Sequence, residues 1–408
     1  GPEDEQAWKK AVATLNANWA DEHTTHVDER LAALHEEYAR RLLDHRNRYT
    51  GVRIGDDPYV ALWELTNENG FPPAMLTGTF RSWPEYFQRV LQRRWNRWLQ
   101  ERYGSDERLL QAWGQLKEGE SLEHQTVAPA PVASEAEQYP AARLADFRRF
   151  VYDLGINHSR RLEAAIREGG SVAARTPISY DTIFEHKHAW YYPMSQGSFQ
   201  AVGTYRGGSP KMQRDTSWLG SPPQDMYNYS TATVADKPIV VYENNIFKPA
   251  ADRSHFPLLI STFASARDWD GVFWYLWSDG TVYDQVDDEA FQHGGLRYAA
   301  RSHIWHGIVT STDEVLLASL RLAGEIFTRF IIPPAPDPVI LTVGAEDLFE
   351  RNNIWIGDLD VPFPEDAPGP GPGYQRYYAL GATDFLYTLR CRYDPQQPRS
   401  SVSRPLIP

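Results

Sequence analysis

The sequence is short of sulfur: one cysteine, Cys391, and four methionines stand in 408 residues. A single thiol cannot close an internal disulfide and has no companions for a zinc site, so it reads as a buried or idle side chain. Basic charge is also outweighed, with 41 Lys and Arg against 54 Asp and Glu for a net charge of −13. That balance lacks the basic footprint that a phosphate backbone requires, and nucleic acid is not an expected partner. Arg93, Arg94 and Arg97 lie among aromatics at helical spacing and read as a solvated face. No run approaches the roughly 18 apolar residues of a membrane-spanning helix, and the N-terminus lacks a charged-then-apolar leader pattern. Neither a Gly-x-x-x-x-Gly-Lys loop nor a dinucleotide fingerprint is present, which disfavours a nucleotide-using enzyme.

What the chain does have is flat rings, 14 Trp and 22 Tyr, which suit core packing and also stacking on sugar faces. Residues 24 to 45 read as an amphipathic helix, with Leu31, Leu34, Tyr38 and Leu42 at three- and four-residue spacing. Tyr59 to Leu65 is a short apolar run suited to a buried strand that ends at Thr66-Asn67-Glu68-Asn69-Gly70. Ser82-Trp83-Pro84-Glu85 has the form of a capping box ahead of a helix over about 83 to 102. A surface excursion at 118 to 139 precedes a long helix that carries Leu144, Phe147, Val151, Leu154, Leu162 and Ile166 on one face and stops at Gly169-Gly170.

Strands are expected at 172 to 179, around 184 to 190, and at 199 to 205, 238 to 243 and 271 to 277, with a helix at 254 to 266 between the last two. The alternation points to a mostly parallel α/β architecture. A helix near 313 to 330 is followed by Pro333-Pro334-Ala335-Pro336, which reads as a boundary. Residues 1–332 are then one catalytic portion. Residues 333–408, with β-type runs at 339 to 343 and 353 to 356 and a Gly/Pro stretch at 368 to 373, form a small β-rich C-terminal segment.

Two glutamates each close a candidate parallel strand and each is flanked by asparagine, as Asn67-Glu68-Asn69 and Glu243-Asn244-Asn245. Parallel barrels place their chemistry at strand C-terminal ends. Cleaving a glycosidic bond with retention needs one carboxylic acid to protonate the leaving oxygen and one carboxylate to attack the anomeric carbon, about 5–5.5 Å apart. Asn67 suits a hydrogen bond to a sugar hydroxyl, and Tyr242 or another nearby hydroxyl suits the task of holding the nucleophile ionised. Asn-Glu is a common dipeptide, and the pairing at two strand ends carries the reading.

On these residues the chain resembles the clan A glycoside hydrolases, in particular cellulase-like members with a (β/α)8 TIM barrel. The stretch from Tyr38 to Gly70 is similar to their fourth strand with its acid/base glutamate. Lys237 to Asn245 is similar to strand seven with its nucleophile, and Asp268 to Ser278 to strand eight, whose aromatic end floors the sugar site. Asp181 to Pro193 resembles the strand-six segment, with His188 and Trp190 as the site pair and His186 as the rival register. As metal ligands His186 and His188 would share one strand face with no third ligand near them, so neither a metal nor an organic cofactor is expected.

The resemblance implies a retaining glycosidase acting on a β-linked poly- or oligosaccharide, with Glu68 as acid/base, Glu243 as nucleophile and Asn67, His188, Trp190, Tyr242 and Trp277 in contact with sugar. It also implies a secreted or periplasmic location. A local basic cleft around Arg206, Lys211 and Arg214 is the one feature favouring an anionic substrate. Strands four to eight are recognisable and strands one to three are not, and five strands cannot close an eight-stranded barrel. Either the chain is a piece of a cleaved or split protein, for which the opening Gly1-Pro2 reads as a processing scar, or a second chain completes the barrel. The competing expectation is a non-catalytic carbohydrate-binding barrel or subunit that needs a partner.

Overall fold

A computed structural model describes residues 2–15, 22–130, 137–182, 188–206, 232–246, 253–277, 310, 313–336, 338–351 and 389–403. In chain order the main elements are α1 (Pro2–Val12), α2 (Glu29–Asp44), β1 (Trp63–Asn67), α3 (Phe71–Thr77), α4 (Glu85–Tyr103), α5 (Asp106–Trp113) and α6 (Ala141–Arg167). There follow β2 (Ile178–Thr182), α7 (His188–Met194), β3 (Gln200–Arg206), β4 (Ile239–Ile246), α8 (His255–Ala266), β5 (Gly271–Trp274) and α9 (Glu314–Thr328). The chain closes with β6 (Val339–Val343), β7 (Leu389–Tyr393) and β8 (Ser401–Val402).

The first five strands are parallel. β1 pairs with β2, and β3-β4-β5 form a second ladder in that order. Ser198 N–H donates to Ile178 O at 2.7 Å, which sets the start of β3 beside β2. All five C-terminal ends therefore face one way, with helices as crossovers between strands.

Long helices form where apolar side chains recur at helical spacing. α4 buries Phe87, Leu91, Trp95 and Leu99, and α6 buries Phe147, Phe150, Val151 and Leu154 against them. Side chains close several helix ends: Asp28 accepts from Arg30 N and Leu31 N at α2, Ser105 from Arg108 N at α5, and Asp313 from Leu316 N at α9. Gly169 and Gly170 do more than end α6. The loop before β1 packs backbone on backbone against them: a Cβ at Gly55 would collide with the Gly169 carbonyl, and one at Gly170 with the Gly55 carbonyl.

Several expectations change. The capping box ahead of α4 is not made: Pro84 occupies the N-cap and the Ser82 hydroxyl donates to Thr79 O. α2 forms, but Leu34, Tyr38 and Leu42 are exposed, and Ala32 and Leu43 are what it buries. Of the strand expected at 184 to 190, residues 188–190 lie in helix α7, where Trp190 and Met194 share a face at four-residue spacing and are both buried; 183–187 lie outside the described residues. The strand expected at 172 to 179 begins only at Ile178.

β6 pairs with β7 in parallel and with β8 antiparallel. Val339, Leu341, Leu389, Cys391 and Tyr393 belong to the same hydrophobic cluster as Trp95, Phe150 and Val241, and Val234 bridges to Cys391. The C-terminal strands thus share the core of the parallel strands. The runs at 353–356 and 368–373 lie outside the described residues. Among the described residues, no helix is long and apolar enough to cross a membrane.

Candidate active site

β1 and β4 bring the two glutamates to the same end of the strands. Glu68 follows the last residue of β1, and Glu243 lies within β4 next to a bulge against β3, where Gly203 stands opposite it. Their carboxyl groups lie close enough for each to shift the acidity of the other. Glu68 has a left-handed backbone (φ 52°), a conformation that costs a non-glycine residue about 1–2 kcal/mol. Glu243 is nearly buried, as are Asn244 and Asn245.

The environment raises both acids. Burial is the main cause for Glu68, opposed by the neighbouring Glu243 carboxyl and by Tyr242, whose hydroxyl donates to Oε1 at 3.4 Å. Burial also leads for Glu243, which is pushed up to about 7; the nearby Tyr205 hydroxyl opposes this, and the charges of Glu68 and Glu64 add to it. The two titrate as a unit, holding one proton over a range in which isolated carboxyls are ionised. Reciprocally, burial and the Glu243 charge raise the Tyr205 phenol, which stays protonated and able to donate.

The asparagines after Glu243 brace the neighbouring strand. Asn244 Nδ2 donates to Phe273 O at 2.7 Å, and Asn245 Nδ2 to Tyr275 O at 2.9 Å and to Thr310 Oγ1 at 3.1 Å. They hold the segment leading to Trp277, which is 62% exposed and presents an open indole near the strand end. Asn67 is exposed at the end of β1.

Other expected residues fall elsewhere. Trp190, expected beside the sugar, is 6% exposed and packs in the core with Tyr191 and Met194. The strand beside Glu243's strand is β3, not the Asp181–Pro193 segment, because Ile178–Thr182 pairs with β1 and α7 separates it from β3. His188 begins that helix, and His186, Lys211 and Arg214 lie outside the described residues.

Tyr205 and Glu64 were not singled out from the sequence. Tyr205 sits opposite Asn245 in the β3-β4 register, two residues beyond Gly203, so the two-residue period of β3 points it toward the same side. The same period along β1 relates Glu64 to the end of the strand. Four histidines also gather beneath β1. The His26 ring stacks on Phe71 at 4.0 Å and lies 4.2 Å from that of His158, with His23 and His35 beside them. Burial pushes His158 down to about 3, keeping it neutral. Among the described residues no group of three or more His, Cys, Asp or Glu is placed to hold a metal ion.

A family model described as β-galactosidase, of glycoside hydrolase family 42, matches residues 10–219. The chain belongs to this family. The matched span contains Glu68 and β1 to β3 and ends before Glu243. Among solved structures, a β-galactosidase from the psychrophilic Marinomonas ef1 is 14% identical with a TM-score of 0.56, covering 91% of this chain and 54% of that one. An exo-β-agarase is 12% identical with a TM-score of 0.46, covering 75% of this chain and 38% of that one. The family 42 chain thus spans about half the length of the β-galactosidase it is similar to. No curated protein matches it.

The raised carboxyls have a consequence for stability. An acid raised in the folded state stabilises the fold while protonated; that contribution is full below its unfolded value and is lost as pH rises through the folded one. Glu243→Gln removes the charge but keeps the shape. Its melting temperature relative to wild type is therefore expected to rise between about pH 5 and about pH 8. Thermal melts at both values check this, and a pH-independent difference would rule it out.

Proposed function

We propose that the complete protein is a retaining β-galactosidase in which Glu243 is the nucleophile and Glu68 the general acid/base. The observation that carries the reading is the meeting of these two carboxyl groups at the C-terminal ends of parallel strands. Inverting enzymes keep their carboxyls about 6.5–9.5 Å apart to admit a water, whereas here the two are close enough to shift each other's acidity, which favours the closer retaining arrangement. Membership of a family described as β-galactosidase supports a β-galactoside as the substrate.

In the first step Glu68 gives its proton to the departing glycosidic oxygen while the Glu243 carboxylate attacks the anomeric carbon. The sugar–oxygen bond breaks, and a covalent galactosyl ester forms with inversion at that carbon. The Tyr205 hydroxyl, which lowers the pKa of Glu243 against the effect of burial, favours its ionised form before attack. Glu68, now a carboxylate, takes a proton from water, which opens the ester with a second inversion and restores both groups. Asn67 reaches a sugar hydroxyl, Tyr242 steadies Glu68, and the exposed Trp277 stacks under the ring.

Further strands, from this polypeptide or a partner, complete the barrel in this proposal. Among the described residues β1 pairs only with β2, and β5 only with β4. The exposed Leu34, Tyr38 and Leu42 of α2 form an apolar stripe on the side where another strand-helix unit would pack.

Proton NMR of an aryl β-galactoside during hydrolysis tests the reading. β-Galactose is expected first, followed by slow mutarotation. First appearance of the α-anomer would refute double displacement, and no turnover by the complete protein would leave a sugar-binding role in its place.

A further inference from the structure

Glu68 owes its position to groups that do not touch it. On β2, beside β1, the Asp181 carboxylate accepts three hydrogen bonds from residues that bracket Glu68. Its Oδ1 takes Thr66 Oγ1 at 3.0 Å and Asn69 N–H at 3.1 Å, and its Oδ2 takes Gly70 N–H at 2.9 Å. From the other side the buried His23 ring meets Asn69 O through Nε2. A carbonyl oxygen only accepts, so Nε2 carries the hydrogen. The Asn69–Gly70 peptide is thereby held at both its N–H and its carbonyl, and the peptide joining it to Glu68 at its N–H.

These bonds account for a conformation that Glu68 would not choose alone. Its φ of 52° lies in the left-handed region, and Gly70 follows at φ 59°. A side chain is disfavoured there unless neighbouring contacts over-determine the backbone. A carboxylate suits the task because both of its oxygens accept, and charged acceptors bind N–H groups more strongly than neutral ones. An amide at the same place would offer one accepting oxygen and point an N–H at an N–H.

We propose that Asp181 is a positioning residue for the acid/base: it fixes the turn that aims the Glu68 carboxyl at the leaving-group oxygen. This rests on the assignment of Glu68 made above. Released from Asp181, the turn relaxes to an ordinary backbone and the carboxyl leaves hydrogen-bond reach of the oxygen it must protonate. Glu243 stands on another strand and keeps its place, so proton donation suffers while nucleophilic attack does not.

The test uses Asp181→Asn and Asp181→Ala in the full-length protein, with two readouts. The first is hydrogen exchange at Asn69 and Gly70, expected to speed up at least about tenfold while amides in the middle of α6 are unchanged. The second is kcat/KM with two aryl β-galactosides. The phenyl substrate, whose leaving group needs a proton, is expected to lose about 100-fold, and the dinitrophenyl substrate, whose leaving group does not, less than about fivefold.

Equal losses on both substrates would mark Asp181 as merely structural and overturn the inference. So would unchanged exchange, or full activity on the phenyl substrate. A wild-type protein that hydrolyses neither substrate defeats the β-galactosidase reading itself, and the aiming role with it. Normal wild-type turnover with unaltered variants defeats the Asp181 inference alone.

Discussion

Glu243→Gln is expected to lower turnover of an aryl β-galactoside by about four to six orders of magnitude, with the fold retained. The size follows from the step that is lost. An amide oxygen is a poor nucleophile toward an anomeric carbon, and without the ester the reaction must find a direct displacement by water for which no second carboxylate base remains. The fold survives because Gln keeps the volume and an amide oxygen can still accept from a neighbouring hydroxyl. Circular dichroism and a thermal melt accompany the rate measurement. Residual turnover within about tenfold of wild type, in folded protein, would remove Glu243 from the chemistry.

The second large effect falls on Glu68 and has a different signature. Glu68→Ala is expected to slow the phenyl β-galactoside by about 10²–10⁴-fold, the usual range for a positioned general acid. The dinitrophenyl substrate needs no proton to leave, so its first step proceeds. The galactosyl ester then accumulates, because water lacks its general base. Azide is an anion that attacks without losing a proton and fits the space vacated by the carboxyl. It is expected to restore turnover and to yield β-galactosyl azide, read by mass spectrometry and NMR. Losses that ignore the leaving group, with no azide product, would mean that Glu68 is not the acid/base. Glu243→Gln should show neither leaving-group selectivity nor rescue to the β-azide, so the two variants separate the two roles.

The strand-end glutamates, the parallel strand-helix alternation and the long helices could be read along the chain because each is a local pattern. Lys237 to Asn245 announces a buried strand by its apolar run, whereas the run from Tyr59 yields a strand only from Trp63 to Asn67, half-buried, with Tyr59 and Leu62 exposed ahead of it. α4 and α6 announce themselves by periodicity, and the match over residues 10–219 agrees with the family resemblance drawn from the same stretch. Where two local readings compete, the pattern fails. The aromatic run through Trp190 suits a strand or a short helix equally, and burial of Trp190 and Met194 on one face selects the helix.

What the sequence determined by itself was the choice of candidate groups: two carboxyls, each at the close of a strand, in a chain without a basic footprint or a phosphate-binding loop. Tertiary structure alone decided their surroundings. Tyr205 beside Glu243, the two asparagines bracing β5 and the residue after it, and Asp181 gripping the turn after β1 are contacts between residues 29 to 112 positions apart. Such contacts are set by strand register, which the hydrophobic pattern of one strand does not reveal. The acidities of Glu68 and Glu243 belong to the same class, since desolvation and a neighbouring charge arise only when the two strand ends are brought together.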